Sequence, residues 1–407
     1  MSDSLRPRAV SVTAFLPYPG VPHAGGEYVL RHFSALSAEY DLTIIAPEGE
    51  ASEAARRFAS TRGWNLLTIS EESSLPSSIR RIRSTLHKAL SGSAYEPHVE
   101  SAFRNSELIE GACRDASIVD LQWLQSARLG RQVRAWNPKA SQIFVVHDVL
   151  TNRWQRSAEA ASGWRKLYFW ARRLFAQRAE RRIFADVDSV VTFSASDRDA
   201  VKRIQPGSRA AFVAPPLVDS AMPVNEGELN ALSLHRGDCR VLLTAAFARP
   251  ENDEAAAWLL RSVWPLVLDQ LPQARLVLAG AGPSDSLREL AKDNMVEVTG
   301  YVEDLHDYYR TADLFVVPLK RGAGVKFKTI TAMLWAIPVV STPAGAEGIG
   351  ERGNYVDVTS DPATFAEAIV SALQERPAAM IRRTWLWAHS TYGVEVFEHR
   401  VRELYNQ

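Results

Sequence analysis

A chain of 407 residues, 46% of them hydrophobic, is too long for one ordinary core and implies two domains. Its 47 basic and 47 acidic side chains cancel, so nothing global points to nucleic acid. The two cysteines, Cys113 and Cys239, lie far apart, offer no disulfide framework or metal cluster, and fit a reducing cytosol.

In chain order, "AVSVTAF" reads as a first strand; its apolar run is too short for a good signal peptide. "YPGVPHAGGEY" reads as a glycine-rich loop, "YVLRHFSALSAEY" has helical spacing, and "DLTIIAP" is a second strand closed by Pro47. Ser117–Trp123, Ser141–Asp148 and Val187–Asp197 are strand candidates ending in polar residues, with helical segments between. A proline-containing stretch from Ala214 to Asp238 is a plausible linker. Alternation then restarts: "RVLLTAAF" strand, "DEAAAWLLRSVWPLVLDQL" helix, "ARLVLAGAGP" strand, "SLRELAKDN" helix, "MVEVTGYV" strand, "LHDYYRTA" helix, "DLFVVPL" strand. Residues from about Arg382 onward look like one or two amphipathic helices. The fold class is α/β, with two doubly wound halves that would place ligands in a cleft at the carboxyl ends of their strands. Domains are expected at 1–218, 219–385 and a closing helix at 386–407. Residues 1–220 hold 29 Lys and Arg against 23 Asp and Glu, a net of +6, and the remainder a net of −6. An anionic partner for the basic half and plain surface scatter explain this equally well.

The stretch "RGAGVKFKTITAMLWAIPVVSTPAGAEGI", Arg321 to Ile349, carries the sharpest chemistry. Gly322 and Gly324 permit close backbone approach, and the helix that comes next presents N–H groups and the positive end of its dipole. Lys326 and Lys328 would leave a helix on different sides but an extended segment on the same side. Two solvated surface lysines are the plainer alternative.

From Leu243 to Ile349 the sequence resembles the nucleotide-binding domain of retaining GT-B glycosyltransferases of family 4. The resemblance rests on Pro250 and Asn252 after the first strand of this half and on Trp264-Pro265 in the first helix. It rests further on Gly300-Tyr301-Val302-Glu303-Asp304 and on the glycine–lysine loop. The first half is similar more loosely, through Gly25-Gly26, through "VVHD" with His147, and through "ADVDSVVTFSASDRDAV". "TYGVEVFEHRVRELY" resembles the closing helices that cross back to the first domain.

The resemblance implies two Rossmann-like domains and transfer of a sugar from a nucleoside-diphosphate sugar to an acceptor hydroxyl, with retention of configuration. The acceptor is a glycan, a glycolipid or a small metabolite. The resemblance puts Tyr301 and Val302 near the base, and Lys326 and Lys328 on the diphosphate, with Arg249 as a candidate for added charge. Ala246 and Asn252 stand where relatives carry a phosphate-facing Arg and Lys. His147 would meet the donor sugar, and Gly25 and Gly26 would approach sugar and diphosphate. His147 and Lys328 are the implied catalytic groups. No cofactor and no divalent metal are implied, because cations and helix N-termini balance the leaving charge.

One position departs from the pattern. Thr331 in Lys328-Thr329-Ile330-Thr331-Ala332-Met333 stands where relatives carry a ribose-binding Glu. A hydroxyl in place of that carboxylate costs on the order of 1–2 kcal/mol, roughly tenfold in affinity. Alternatively Glu347 or Glu351 reaches the ribose, or the protein is a non-catalytic sugar-nucleotide-binding or complex partner. A GT-B epimerase and a dehydrogenase suggested by Gly280-Ala281-Gly282 have weaker support.

Finally, "GWRKLYFWARRLFAQRAERRIF", residues 163–184, carries seven Lys and Arg against one Glu among aromatics. It fits an anionic membrane surface at the inner face of the cell membrane, and it also fits a helix that packs its aromatics on the sheet. "SIRRIRSTLHK" is a second basic stretch, and no run approaches the ~20 apolar residues of a membrane span.

Overall fold

The computed structural model describes residues 6–19, 24–69, 95–159, 161–214, 229, 238–292, 295–321 and 325–406. Gly322, Gly324, the stretch "SIRRIRSTLHK" and nearly all of the linker between Ala214 and Asp238 lie outside the described residues. The chain divides into two units, Met1–Pro216 with Phe397–Gln407, and Leu217–Val396.

The first unit is built on β1 (Arg8–Val12), β2 (Asp41–Pro47), β3 (Asn65–Ile69), β4 (Ile118–Gln122), β5 (Ser141–Val146), β6 (Ser189–Thr192) and β7 (Ala210–Phe212). All pairs are parallel, in the order β3-β2-β1-β4-β5-β6-β7. Strands such as "IFVV" in β5 are unbroken apolar runs because both faces of the sheet are covered. The helices are α1 (Ala24–Ser37), α2 (Ser52–Thr61), α3 (Pro97–Asn105), α4 (Glu107–Asp115), α5 (Trp123–Ala127), α6 (Gly130–Trp136), α7 (Leu150–Glu159), α8 (Gly163–Asp186) and α9 (Ala195–Ile204).

Two local expectations change here. Gly25 and Gly26 belong to the first turn of α1, which begins at Ala24, and not to the preceding loop. The strand expected over Val187–Asp197 stops at Thr192, because Ser194 caps α9 by accepting the Asp197 N–H at 3.0 Å.

The second unit holds β8 (Arg240–Thr244), β9 (Arg275–Ala279), β10 (Val296–Gly300), β11 (Leu314–Val317), β12 (Val339–Ser341) and β13 (Asp357–Val358). They are parallel in the order β10-β9-β8-β11-β12-β13. Its helices are α10 (Pro250–Trp258), α11 (Trp264–Gln270), α12 (Asp285–Ala291), α13 (His306–Thr311), α14 (Phe327–Leu334), α15 (Pro343–Ala346), α16 (Pro362–Glu375) and α17 (Ala378–Tyr392). The single helix expected over "DEAAAWLLRSVWPLVLDQL" contains a π-turn, Leu259–Val263. Pro265 at the start of α11 has no N–H to continue the ladder, and the widened turn absorbs the gap.

Gly280 and Gly282 are required by packing. A Cβ on Gly280 would sit 1.9 Å from the Ala245 carbonyl oxygen, and one on Gly282 2.7 Å from the Ala248 Cβ. Both have positive φ, 143° and 70°. They hold the loop after β8 against the loop after β9, where Phe247 donates to the Ala281 carbonyl at 2.7 Å. The chain ends in α18 (Val394–Tyr405). Its Tyr405 carbonyl accepts from the Tyr40 hydroxyl at 3.0 Å, and its Tyr405 hydroxyl lies 3.1 Å from His32 on α1. In contrast α17 packs on α14 within the second unit. Among the described residues no helix is long and apolar enough to cross a membrane.

Candidate functional site

In each sheet the strand order reverses beside its first strand, between β1 and β4 and between β8 and β11. Loops at such reversal points diverge and leave room for ligands at the carboxyl ends. The candidate residues gather near these two places, His147 with Gly25 and Gly26 in the first unit and the cations in the second.

In the first unit β4 ends at Gln122, and Trp123 is next, with φ of 66°. That left-handed conformation is a genuine outlier for a bulky residue and marks a site held by its surroundings. It turns the indole onto His147, whose ring stacks on it at 3.8 Å with 14° between planes. Tyr28 and Phe193 meet the imidazole edge-on at 5.3 and 4.9 Å. His147 Nε2 lies 2.9 Å from Gln122 Oε1. The Gln122 amide is oriented by Asp120, whose Oδ2 accepts from Nε2 of Gln122 at 2.8 Å. Oε1 is therefore an acceptor, His147 Nε2 carries a proton, and in the neutral ring the lone pair is on Nδ1.

Asp120 is fully buried at the centre of this chain of bonds. It also accepts from Ser11 Oγ at 2.5 Å and from the Tyr405 hydroxyl at 2.5 Å, and lies 3.3 Å from His32 Nε2. Burial pushes its carboxyl up, but His32, Ser11 and Tyr405 together hold it below the usual carboxylate range. Burial likewise raises the hydroxyls of Tyr28 and Tyr405, so both remain neutral. Asp120, Gln122, Trp123, Tyr28, His32 and Tyr405 escape the sequence reading. The signal available was an Asp and a Gln alternating with apolar residues in a strand buried on both faces.

In the second unit Arg249 is exposed at the N-cap of α10, in the loop steadied by Gly280 and Gly282. Lys326 is the N-cap of α14 with φ −90° and ψ 89°, and Lys328 is the second residue of the helix. The segment is thus not extended through both lysines; the turn from cap to helix places their charges near each other instead. Burial lowers the Lys328 ammonium to about 8, and Lys326 and Arg249 push it the same way. The neighbouring basic residues are engaged elsewhere. Arg321 pairs with Glu254 at 2.6 Å, and Lys320 lies 5.1 Å over the Trp258 ring.

Thr331 lies one turn beyond Lys328 and is partly exposed, while Ile330, Ala332 and Met333 are buried. Trp335 is core: its ring meets His306 edge-on at 4.6 Å and Tyr309 at 6.3 Å. Tyr301, just past β10, is exposed, with Val302 partly so; Gly300 at φ 73° makes the bend. Glu347 is partly exposed after α15. Glu351 is bound into a local capping box with Asn354. Among the described residues no cluster of His, Cys, Asp and Glu is arranged to hold a metal ion.

Residues 238–375 match the family model described as glycosyl transferases group 1. An uncharacterized 44.6 kDa protein in the cps region of Klebsiella pneumoniae is 30% identical over 143 residues. That match spans 33% of this chain and 37% of the relative, so it covers little more than a third of that protein. The fold is similar across nearly the whole chain to Anabaena HepE, crystallised with UDP and glucose, at 12% identity and TM-score 0.64 over 98% of this chain and 100% of that one. It is similar to sucrose-phosphate synthase of Thermosynechococcus elongatus at 16% identity and TM-score 0.69 over 99% of each chain. Staphylococcus aureus TarM, crystallised with UDP, matches at 10% identity and TM-score 0.63 over 98% and 100%. The chain therefore has the GT-B fold, and residues 238–375 of its second unit are similar to the glycosyl transferases group 1 model.

Proposed function

We propose that the protein is a retaining, metal-independent glycosyltransferase that moves a sugar from a nucleoside-diphosphate sugar to an acceptor hydroxyl. The single observation that carries this is the convergence of Lys328, Lys326 and Arg249 at the reversal point of a group 1 domain. Burial and two like charges disfavour the Lys328 ammonium, and a diphosphate offsets that cost with negative charge. In the reaction, the bond from the anomeric carbon to the diphosphate breaks and charge grows on the phosphate oxygens. The lysines and the N-terminus of α14 meet that charge. The departing phosphate takes the acceptor proton on the same face, which gives retention.

The first unit supplies acceptor binding and His147, which hydrogen-bonds the donor sugar. Gly25 and Gly26, in the first turn of α1, leave room for the sugar. In the second unit Tyr301 and Val302 flank the base, and Thr331 contacts the ribose, with Glu347 as a candidate acid. The named relatives crystallised with UDP support a uridine donor, and the cps-region relative supports polysaccharide synthesis. Work in the cytoplasm at the inner face of the membrane suits a lipid-linked acceptor.

A panel of UDP-, GDP- and dTDP-sugars, read by thermal shift and by nucleotide release, tests this reading. Binding with turnover supports it. Binding without turnover over a range of acceptors favours the complex partner motivated by Thr331, and no binding at all sinks it.

A further inference from the structure

Helix α8 is long and basic, and its two sides do different work. Its inner side is fixed by α7. Phe169 stacks on Trp154 at 5.9 Å, and Ala176, Glu180, Ile183 and Phe184 are buried. The Glu180 carboxylate accepts from the Leu150 and Thr151 N–H groups at 2.7 and 3.2 Å and from the Thr151 hydroxyl at 2.5 Å, capping the start of α7. These contacts lock the rotation of α8.

With that rotation fixed, the first three turns present a second apolar stripe to solvent. Trp164 and Leu167 are 74% and 73% exposed, and Tyr168, Leu174 and Phe175 are 48%, 45% and 52% exposed. At about 100° per residue, these five with Ala171 fill one arc roughly 120° wide. The packing of the aromatics on the sheet, expected as one alternative, is seen on the opposite side for Phe184, which meets Phe144 of β5, while Phe169 packs on α7. The stripe is flanked by Arg165 and Lys166 and continued by the exposed Arg178, Arg181 and Arg182. The acids of the helix are occupied: Glu180 is buried, and Asp186 pairs with Arg131 at 2.6 Å.

We propose that this outward side of α8 docks on an anionic membrane surface. Trp164, Leu167, Tyr168, Leu174 and Phe175 enter the boundary between headgroups and acyl chains, and the flanking arginines and lysine meet the headgroup charge. The charge selects this occupant over a second copy. Self-pairing about a two-fold axis would bring Arg and Lys against Arg and Lys. Docking does not depend on the donor site, so vesicle binding and nucleotide binding are separate readouts.

The test is co-sedimentation of the full chain with vesicles of phosphatidylcholine alone and of phosphatidylcholine with phosphatidylglycerol. Expected is strong binding to the anionic vesicles, weak binding to the neutral ones, and loss with added salt. The triple variant Trp164→Ser, Leu167→Ser, Phe175→Ser loses on the order of tenfold or more of that binding and keeps its melting temperature. Leu108→Ser, at an exposed leucine away from the stripe, binds as the parent does. Failure of the parent to bind anionic vesicles, or equal binding by the triple variant, overturns the proposal. So does a dimer in solution that the triple variant dissolves while vesicle binding is absent.

Discussion

The carboxyl end of β4 and the loop beyond β11 occupy the same place in two sheets of like strand order, yet they are finished in opposite ways. Beyond β4 the polar groups are satisfied by one another. Asp120 takes bonds from Ser11, Gln122 and Tyr405, Gln122 takes one from His147, and Trp123 covers the imidazole. Beyond β11, Lys328 meets burial and two further cations. A satisfied network orients a group before any ligand arrives. A crowded cation is stored instability that an anion relieves. The first arrangement therefore protects stability, and under the proposed function the second gives some of it up for binding.

The largest expected effect breaks the first arrangement. Asp120→Ala should destabilise the protein by about 3–5 kcal/mol in urea unfolding, because it strands several buried partners. A loss below about 1 kcal/mol would show that the network is not a unit. Next, Lys328→Ala should weaken nucleoside-diphosphate binding by roughly tenfold to a hundredfold in calorimetry while leaving stability equal or higher. Unchanged affinity would remove the diphosphate from this loop.

The pH dependence sharpens the same contrast. Lys328 is lowered to about 8 from an ordinary value of 10.5, so the unfolded chain holds the extra proton between those values. Stability conferred through this group should rise with pH across that window. Nucleotide affinity should fall above about pH 8, with proton uptake on binding that shows as a buffer-dependent heat. Smallest is Thr331→Glu, which should preserve nucleotide affinity or improve it by up to about tenfold. A loss would mean that the position does not face the ribose.

Much of the fold was legible locally. "DLTIIAP" is β2 residue for residue, and the strand–helix alternation required parallel sheets. The candidate site was legible where its chemistry is contiguous. Glycines, lysines and a helix start lie within a few residues of one another, and "VVHD" sets His147 at a strand end. Less legible was the turn at Ser194, where a cap overrode a run that still looked like strand.

The sequence by itself determined the features that neighbours along the chain dictate: the alternating elements, the lysine pair before α14, and the basic, aromatic content of α8. Only the tertiary structure decided the features that depend on distant partners. Tyr405 meets Asp120 across 285 positions, and no local pattern encodes that bond. Periodicity could not say which side of α8 faces solvent, since both sides are apolar. The Glu180 cap on α7 and the Phe169–Trp154 stack chose one side for the core and left the other exposed.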